Sequence, residues 1–261
     1  MTVIAVGRTA DVLDLGNGRV LRRYRDPGQD STAEAELMRH LSDAGFPVPT
    51  VHSAEGPDLV LARVPGPTLA EAALSGAVSP AEVGGMLADL HDRLDEVPPP
   101  PMVTRHPSAD GGRRSRIVHL DLHPENVLLA PEGPVVIDWT NASVGSGGLD
   151  RAMTGLILAE VVLAGEAWVA EAARSALERF LQVAGRPVPS HLEAALARRQ
   201  GDPALSATEV RRLQWAVRLL CPDPSRELLG LTPEPQPCSC ERCPADRPCV
   251  DCPCACPACR D

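Results

Sequence analysis

Lysine is absent from the 261-residue chain, and all 25 of its basic residues are arginine. Any role that lysine usually fills must therefore fall to arginine or stay empty. Aromatic residues make up only 2% of the chain, so the core has to be built from leucine, valine and alanine. The formal net charge of -10 argues against a nucleic-acid-binding surface, which would be basic.

Signals for export or membrane insertion are also lacking. Residues 1–7 carry no basic region, and the apolar run over residues 153–165 is broken by Glu160 and is too short to span a bilayer. The body of the chain has one cysteine, Cys221, and so does not rely on disulfides. We therefore expect a cytoplasmic protein that has no membrane partner.

The order of the expected elements is strands first and helices afterwards. A strand is expected over residues 19–24, and its alternation places Val20, Arg22 and Tyr24 on one face. The other expected elements are a helix over 33–44, a strand pair over 51–53 and 59–64, and helical segments over 68–97, 151–183 and 191–220. This order is typical of an α+β protein with two lobes and a cleft between them.

One helix start is well defined by its residues. Ser79 is a good N-cap, Pro80 suits the first helical position, and Glu82 completes a capping box. Later in the chain, His91 lies on an apolar helix face and Asp150 follows a glycine-rich loop. His91 is therefore expected to be a structural residue of the core.

The segment that indicates chemistry is the polar loop HLDLHPEN at residues 119–126. A strand, a tight turn and a second strand that ends at Asp138 follow it. Phosphoryl transfer depends on positioning and on neutralising the charge of the phosphates. The carboxylate of Asp121 can take the proton of an acceptor hydroxyl, while the amide oxygen of Asn126 and the carboxylate of Asp138 are oxygen ligands that suit magnesium.

These residues resemble a known family. The pattern from His119 through Asp121, His123 and Asn126, followed by the IDW sequence at residues 137–139, is similar to the aminoglycoside phosphotransferase family. The resemblance covers about residues 5–220, and it implies that Asp150, which follows the metal motif, is a structural aspartate. It implies a protein-kinase-like fold, with a small β-rich N-terminal lobe and a larger helical C-terminal lobe. It also implies an enzyme that transfers the terminal phosphate of ATP (or GTP), with Mg²⁺, to a hydroxyl of a small molecule.

The resemblance also implies a nucleotide site in the first lobe. Arg22 occupies the position of the family's phosphate-pairing lysine, and Glu34 is its expected partner, although Glu36 competes for that ion pair. Val20 would cover the adenine. The backbone of Ala62 and Val64 would form the hinge that hydrogen-bonds the base.

Three regions are expected: a nucleotide-binding lobe over 1–64, a helical lobe with the catalytic loop over 65–230, and a tail over 231–261. The tail carries cysteines in C-x-C and C-x-x-C spacings, which suit thiolate zinc sites. The eight are Cys238, Cys240, Cys243, Cys249, Cys252, Cys254, Cys256 and Cys259. A disordered tail without a ligand is the competing interpretation, and an iron–sulfur cluster has less support.

Other interpretations of the motif stay open at this point. Asp121 and Asp138 could be ordinary loop carboxylates, and His119, Asp121 and His123 could instead ligate a metal as in a metallohydrolase. A non-catalytic alternative is a kinase-like protein that binds a nucleotide or another ligand for regulation, with a metal-sensing cysteine tail. Arg22 in place of lysine favours that alternative.

Overall fold

The N-terminal part of the chain forms one antiparallel sheet. The computed structural model describes residues 2–7, 9–100, 115–203 and 205–221. The strands of the sheet are β1 (Thr2–Val6), β2 (Ala10–Gly16), β3 (Arg19–Tyr24), β4 (Val51–Glu55) and β5 (Asp58–Ala62). They lie in the order β1-β2-β3-β5-β4. The tight turn from β2 to β3 is possible because Asn17 and Gly18 adopt left-handed backbone conformations.

Strand β3 shows the alternation that its sequence predicts. Arg22 is buried and bonds Tyr24 on the same face, while Arg23 is exposed and bonds Asp58 of β5. Helix α1 (Thr32–Asp43) then contacts β4 and buries Glu34 together with its apolar residues. One charged side chain of the sheet and one of the helix thus meet inside the protein.

Two short strand pairs follow and carry the polar loop. β6 (Arg116–Val118) pairs with β9 (Ser143–Gly145), and β7 (Val127–Ala130) pairs with β8 (Gly133–Val136). Leu129 N donates to Pro67 O at 2.8 Å, and Val136 N donates to Pro47 O at 2.9 Å. The β7–β8 hairpin is therefore hydrogen-bonded to the segment before β4 and to the segment after β5.

Helices make up the rest of the described chain. Helices α2 (Leu69–Leu74) and α3 (Pro80–Glu96) precede β6, and both begin at capping boxes. At α3 the Ser79 hydroxyl accepts from Glu82 N, and the Glu82 carboxylate accepts from Ser79 N, as the sequence predicts. None of the helices in the described part of the chain is long and apolar enough to cross a bilayer.

The two helical segments expected near the C-terminus are helical, and each is divided into two helices. The first is divided into α4 (Gly147–Ala164) and α5 (Ala167–Ala184), and the second into α6 (Pro189–Gln200) and α7 (Ala207–Leu220). Gly165 ends α4 in an extended conformation, and Ser206 starts α7 with a new capping box. Helices α5, α6 and α7 all pack against α4, so that the helices on both sides of each break have an apolar face.

Candidate active site

Asp150 in the first turn of α4 holds the backbone of the polar loop. Its carboxylate accepts from His119 N at 2.9 Å and Leu120 N at 2.6 Å. Leu120 has a φ of 63°, a left-handed conformation that is unusual for leucine. Burial alone would raise the pKa of Asp150, but His91 and the His119 N–H outweigh it and hold the pKa below its ordinary value. The predicted structural aspartate is thus an ionised anchor directly before Asp121.

The loop brings the Asp121 and Asn126 side chains together. Asn126 Nδ2 donates to the backbone O of Asp121 at 2.9 Å and lies 3.4 Å from Asp121 Oδ2. The Nδ2 atom is also 3.1 Å from His123 Nε2. Because the amide nitrogen faces the loop, the amide oxygen of Asn126 is the atom left to bind a cation.

Asp138 follows strand β8 rather than ending it. The predicted second strand stops at Val136, and Asp138 has a left-handed φ of 62° that turns the chain into a 3₁₀ turn at Trp139–Asn141. Ile137 N donates to Asn126 O at 2.9 Å, which places Asp138 one residue from the loop. The Asp138 side chain is 39% exposed. The turn thus brings a carboxylate to the edge of the polar loop.

Arg22 reaches across from the sheet to this turn. Its Nη2 bonds Asp138 Oδ1 and Thr140 Oγ1, each at 2.7 Å. Its Nη1 bonds Glu34 Oε2 and Tyr24 Oη, each at 2.8 Å. The predicted Arg22–Glu34 ion pair is therefore present, and it extends to Asp138. Burial alone would lower the pKa of Arg22, but the Glu34 and Asp138 carboxylates hold it above its ordinary value.

Glu34 joins the same network from α1. Its Oε1 accepts from Trp139 N at 3.0 Å, and its Oε2 accepts from the Tyr24 hydroxyl. Burial, together with the Glu34 carboxylate, raises the pKa of Tyr24 to about 12, so the phenol stays a donor at neutral pH. Helix α1, strand β3 and the Asp138 turn are thereby connected.

His119 supports the site from the core. It is fully buried, its ring packs against Trp139, and its Nε2 lies 3.0 Å from Ile137 O. Because a carbonyl oxygen only accepts, Nε2 must carry the proton. Burial lowers the pKa of His119, and the ring is therefore neutral. With Nε2 engaged in this way, His119 is poorly suited to the metallohydrolase interpretation.

The predicted base-binding hinge has one backbone N–H group that is already bonded within the protein and one that is not. Ala62 N donates to Thr50 O, and Arg63 N donates to Gly18 O, each at 2.8 Å. Val64, the next residue, has no backbone hydrogen bond to the residues that the structure describes. Val20 is buried on the face of β3 that also carries Arg22. Of the two hinge residues, Val64 rather than Ala62 has a backbone N–H available.

Three further residues were not found from the sequence. The alternation of β3 placed Tyr24 beside Arg22, but no contact could be assigned to it, and Thr140 gave no signal. Arg199 of α6 bonds Glu160 of α4 through Nε and Nη2, each at 2.9 Å. Burial alone would lower the pKa of Arg199, but Glu160 and more distant carboxylates, among them Asp121, hold it above its ordinary value.

The oxygen atoms of Asn126 and Asp138 suit magnesium. Mg²⁺ is usually held by one or two carboxylates, with substrate phosphates and waters completing the shell. Within the described ranges, no group of three or more histidine, cysteine, aspartate and glutamate side chains could hold a metal ion. The predicted zinc-binding cysteines at 238–259 lie outside the residues that the structure describes.

The fold is that of protein-kinase-like phosphotransferases, which confirms the predicted two-lobed α+β class. The aminoglycoside phosphotransferase APH(4)-Ia is 17% identical, with a TM-score of 0.57 over 84% of this chain and 92% of that one. The amicoumacin kinase hAmiN, in complex with AMP-PNP, Ca²⁺ and Ami, is 14% identical, with a TM-score of 0.52 over 85% and 88%. A choline/ethanolamine kinase family protein from Mesorhizobium loti is 15% identical, with a TM-score of 0.52 over 88% and 87%.

The sequence assigns the chain more closely than the fold does. The phosphotransferase enzyme family, abbreviated APH, matches residues 1–109 and 86–201. The chain belongs to this family, as its motif predicts. No curated protein matches the chain.

Proposed function

We propose that the chain is a phosphotransferase that moves the terminal phosphate of a nucleotide to a hydroxyl group of a small molecule. The observation that carries this proposal is the meeting of Asp121, Asn126 and Asp138 at one place. Asn126 bonds the backbone of Asp121 through its side chain and the residue before Asp138 through its backbone. A purely structural loop has no need of two carboxylates and an amide at this point.

Asp121 is the proposed catalytic base. Its side chain is part-buried beside Asn126, so that it is fixed in place and still accessible. The acceptor oxygen would attack the terminal phosphorus as its proton passes to Asp121, and the bond to the leaving nucleotide diphosphate would break. Magnesium, held by Asn126 and Asp138, would supply positive charge against the phosphates.

The nucleotide is proposed to lie between the sheet and the polar loop. Val20 and the Val64 N–H are on the sheet side of this cleft, and Arg22 connects the two sides. A structure with AMP-PNP is known for hAmiN, and one with ADP and hygromycin B for a thermostable mutant of APH(4)-Ia. These relatives support an adenine nucleotide, ATP, as the donor, and GTP is the alternative.

The division of the chain follows from this placement. Residues 1–64 would form the nucleotide lobe, because strand β5 ends at Ala62 and helix α2 begins at Leu69. Residues 65–230 would carry the catalytic loop and the acceptor site. Arg199 and Glu160 bond each other from two helices of this part, and Asp121 contributes to the raised pKa of Arg199, so this pair is proposed to border the acceptor site.

Nucleotide binding is the first test. Melting temperature is measured with ATP or GTP at millimolar concentration, with and without magnesium. A magnesium-dependent rise in melting temperature supports the enzyme. No shift with either nucleotide favours the non-catalytic alternative, in which the fold binds a different ligand.

Substitution of the base is the second test. Asp121→Asn removes the proton acceptor while keeping the size of the side chain, and we expect transfer to fall by about 10²- to 10⁴-fold. Nucleotide binding should survive. Turnover is followed as release of the nucleoside diphosphate, with a panel of aminoglycosides, choline, homoserine and sugars as acceptors. Asp89→Asn, at an exposed carboxylate of α3, is the matched control. Normal turnover in Asp121→Asn would remove Asp121 from the catalytic role.

A further inference from the structure

Arg22 uses all of its terminal N–H groups on the protein. A guanidinium has five N–H donors, four of them on the two terminal nitrogens. Nη1 bonds Tyr24 and Glu34, and Nη2 bonds Asp138 and Thr140, at distances of 2.7 to 2.8 Å. The side chain is 9% exposed. Only the Nε–H is left for any other partner.

The acceptors of Arg22 are also bonded to one another. The Thr140 hydroxyl accepts from Arg22 and donates to Asp138 Oδ1 at 2.7 Å. On the other side, the Tyr24 hydroxyl accepts from Arg22 and donates to Glu34. Each carboxylate therefore shares its arginine nitrogen with a neighbouring hydroxyl. A two-sided network of this kind holds both carboxylates at fixed positions.

The network uses the two oxygens of Asp138 differently. Oδ1 accepts from both Arg22 and Thr140. Oδ2 accepts no hydrogen bond from the residues that the structure describes. The backbone of Asp138 is left-handed, a conformation that persists only where surrounding contacts hold it.

We propose that Arg22 and Thr140 are positioning residues for Asp138, and that Arg22 acts through Asp138 rather than by contacting the phosphates of the nucleotide. They hold Oδ1 and leave Oδ2 to bind magnesium. This inference rests on the proposed function, because it assigns the residues that orient a magnesium ligand of that same site. It also assigns Tyr24 the task of holding the opposite side of the guanidinium.

The proposal predicts that lysine cannot replace Arg22. An ammonium has three donors on a single nitrogen, whereas the network presents four acceptors on two sides of a planar fork. Arg22→Lys would therefore leave at least one of these four acceptors without its donor. Lysine, the family's usual residue at this position, should therefore lower the melting temperature of this chain and weaken the effect of magnesium on nucleotide affinity.

Thr140 gives the cleaner test because Thr140→Val keeps the shape of the side chain and removes only the hydroxyl. The affinity for AMP-PNP is measured by calorimetry, in EDTA and in magnesium. In EDTA, we expect Thr140→Val to bind AMP-PNP with the affinity of the wild type. Magnesium should increase that affinity about tenfold less in Thr140→Val than in the wild type. Thr140→Ser, which keeps the hydroxyl, should restore it. Thr140→Val with the wild-type magnesium effect would overturn the inference.

Arg22→Lys is tested in the same assay, together with the melting temperature of the ligand-free protein. We expect a lower melting temperature and the same loss of the magnesium effect as in Thr140→Val. Arg23→Lys makes the same exchange at the exposed neighbour that bonds Asp58, and it should match the wild type. An Arg22→Lys protein that binds magnesium and AMP-PNP as well as the wild type would show that the four contacts are dispensable.

The wild-type protein separates the two proposals. Wild-type protein that binds no nucleotide overturns the proposed function, and this inference with it. Wild-type protein that binds AMP-PNP more tightly with magnesium, while Thr140→Val behaves identically, overturns this inference alone.

Discussion

Replacement of Asp150 by asparagine should loosen the catalytic loop. In the native protein one carboxylate accepts from two consecutive backbone N–H groups, those of His119 and Leu120, inside the core. An asparagine has one acceptor oxygen and one NH₂ group. One of the two backbone N–H groups therefore keeps an oxygen as its acceptor, and the other faces the NH₂ group of the asparagine, which is also a donor. Leu120, which is left-handed, then loses a contact that holds it.

The size of the effect follows from these contacts. A hydrogen bond to a charged group contributes about 1.5–3 kcal/mol, and leaving a buried donor unpaired costs about 1–3 kcal/mol more. We expect Asp150→Asn to lower the free energy of unfolding by about 3–5 kcal/mol. Since a domain of this size loses about 2–4 °C in melting temperature per kcal/mol, a decrease of roughly 10 °C should be seen.

The measurement is urea denaturation of both variants and the wild type. Asp92→Asn is the control, because Asp92 is 63% exposed and bonds Arg151, the residue next to Asp150. Asp92→Asn should lower the free energy of unfolding by at most about 1 kcal/mol. If Asp150→Asn unfolds within 1 kcal/mol of Asp92→Asn, the carboxylate does not hold the loop and the reasoning from these two bonds is wrong.

Two further predictions concern His119 and the contact between α3 and α5. Because folded His119 resists protonation while the unfolded histidine binds a proton below about pH 6.5, stability should fall by up to about 1.4 kcal/mol from pH 7.5 to 5.5. His119→Asn should lose this dependence in denaturation at the two pH values. Gly84→Ala puts a Cβ 2.1 Å from Ala176 O and should cost about 1–3 kcal/mol, whereas Gly85→Ala meets only Arg179 Nε at 3.9 Å and should stabilise slightly. Equal melting temperatures for the two glycine variants would contradict this.

Features set by local sequence were predicted well. The capping box at Ser79 and the alternation of β3 depend on residues within one turn or one strand, and both are present. The ion pair of Arg22 with Glu34 was predicted from the resemblance alone, since no local pattern relates a strand to a helix.

Features set by contacts between distant segments were not predicted. The helix breaks are an exception, because Gly165 and the capping box of Ser206 with Glu209 are local signals that were overlooked. The left-handed Asp138 is a clearer case, because an aspartate that follows a strand pattern can end the strand or start a turn. Thr140 approaches Arg22 across 118 residues, so its role appears only once the turn is built.

The hydroxyls of Tyr24 and Thr140 explain how an arginine fits at position 22. A guanidinium placed in a pocket shaped for an ammonium would bury N–H groups that no acceptor reaches, at a cost of about 1–3 kcal/mol each. Glu34 and Asp138 match one N–H on each terminal nitrogen, and the two hydroxyls match the others. Loss of either hydroxyl would leave one N–H of Arg22 without its acceptor and should lower the stability of the protein by about that amount. The two hydroxyls therefore let the site accommodate an arginine in place of lysine.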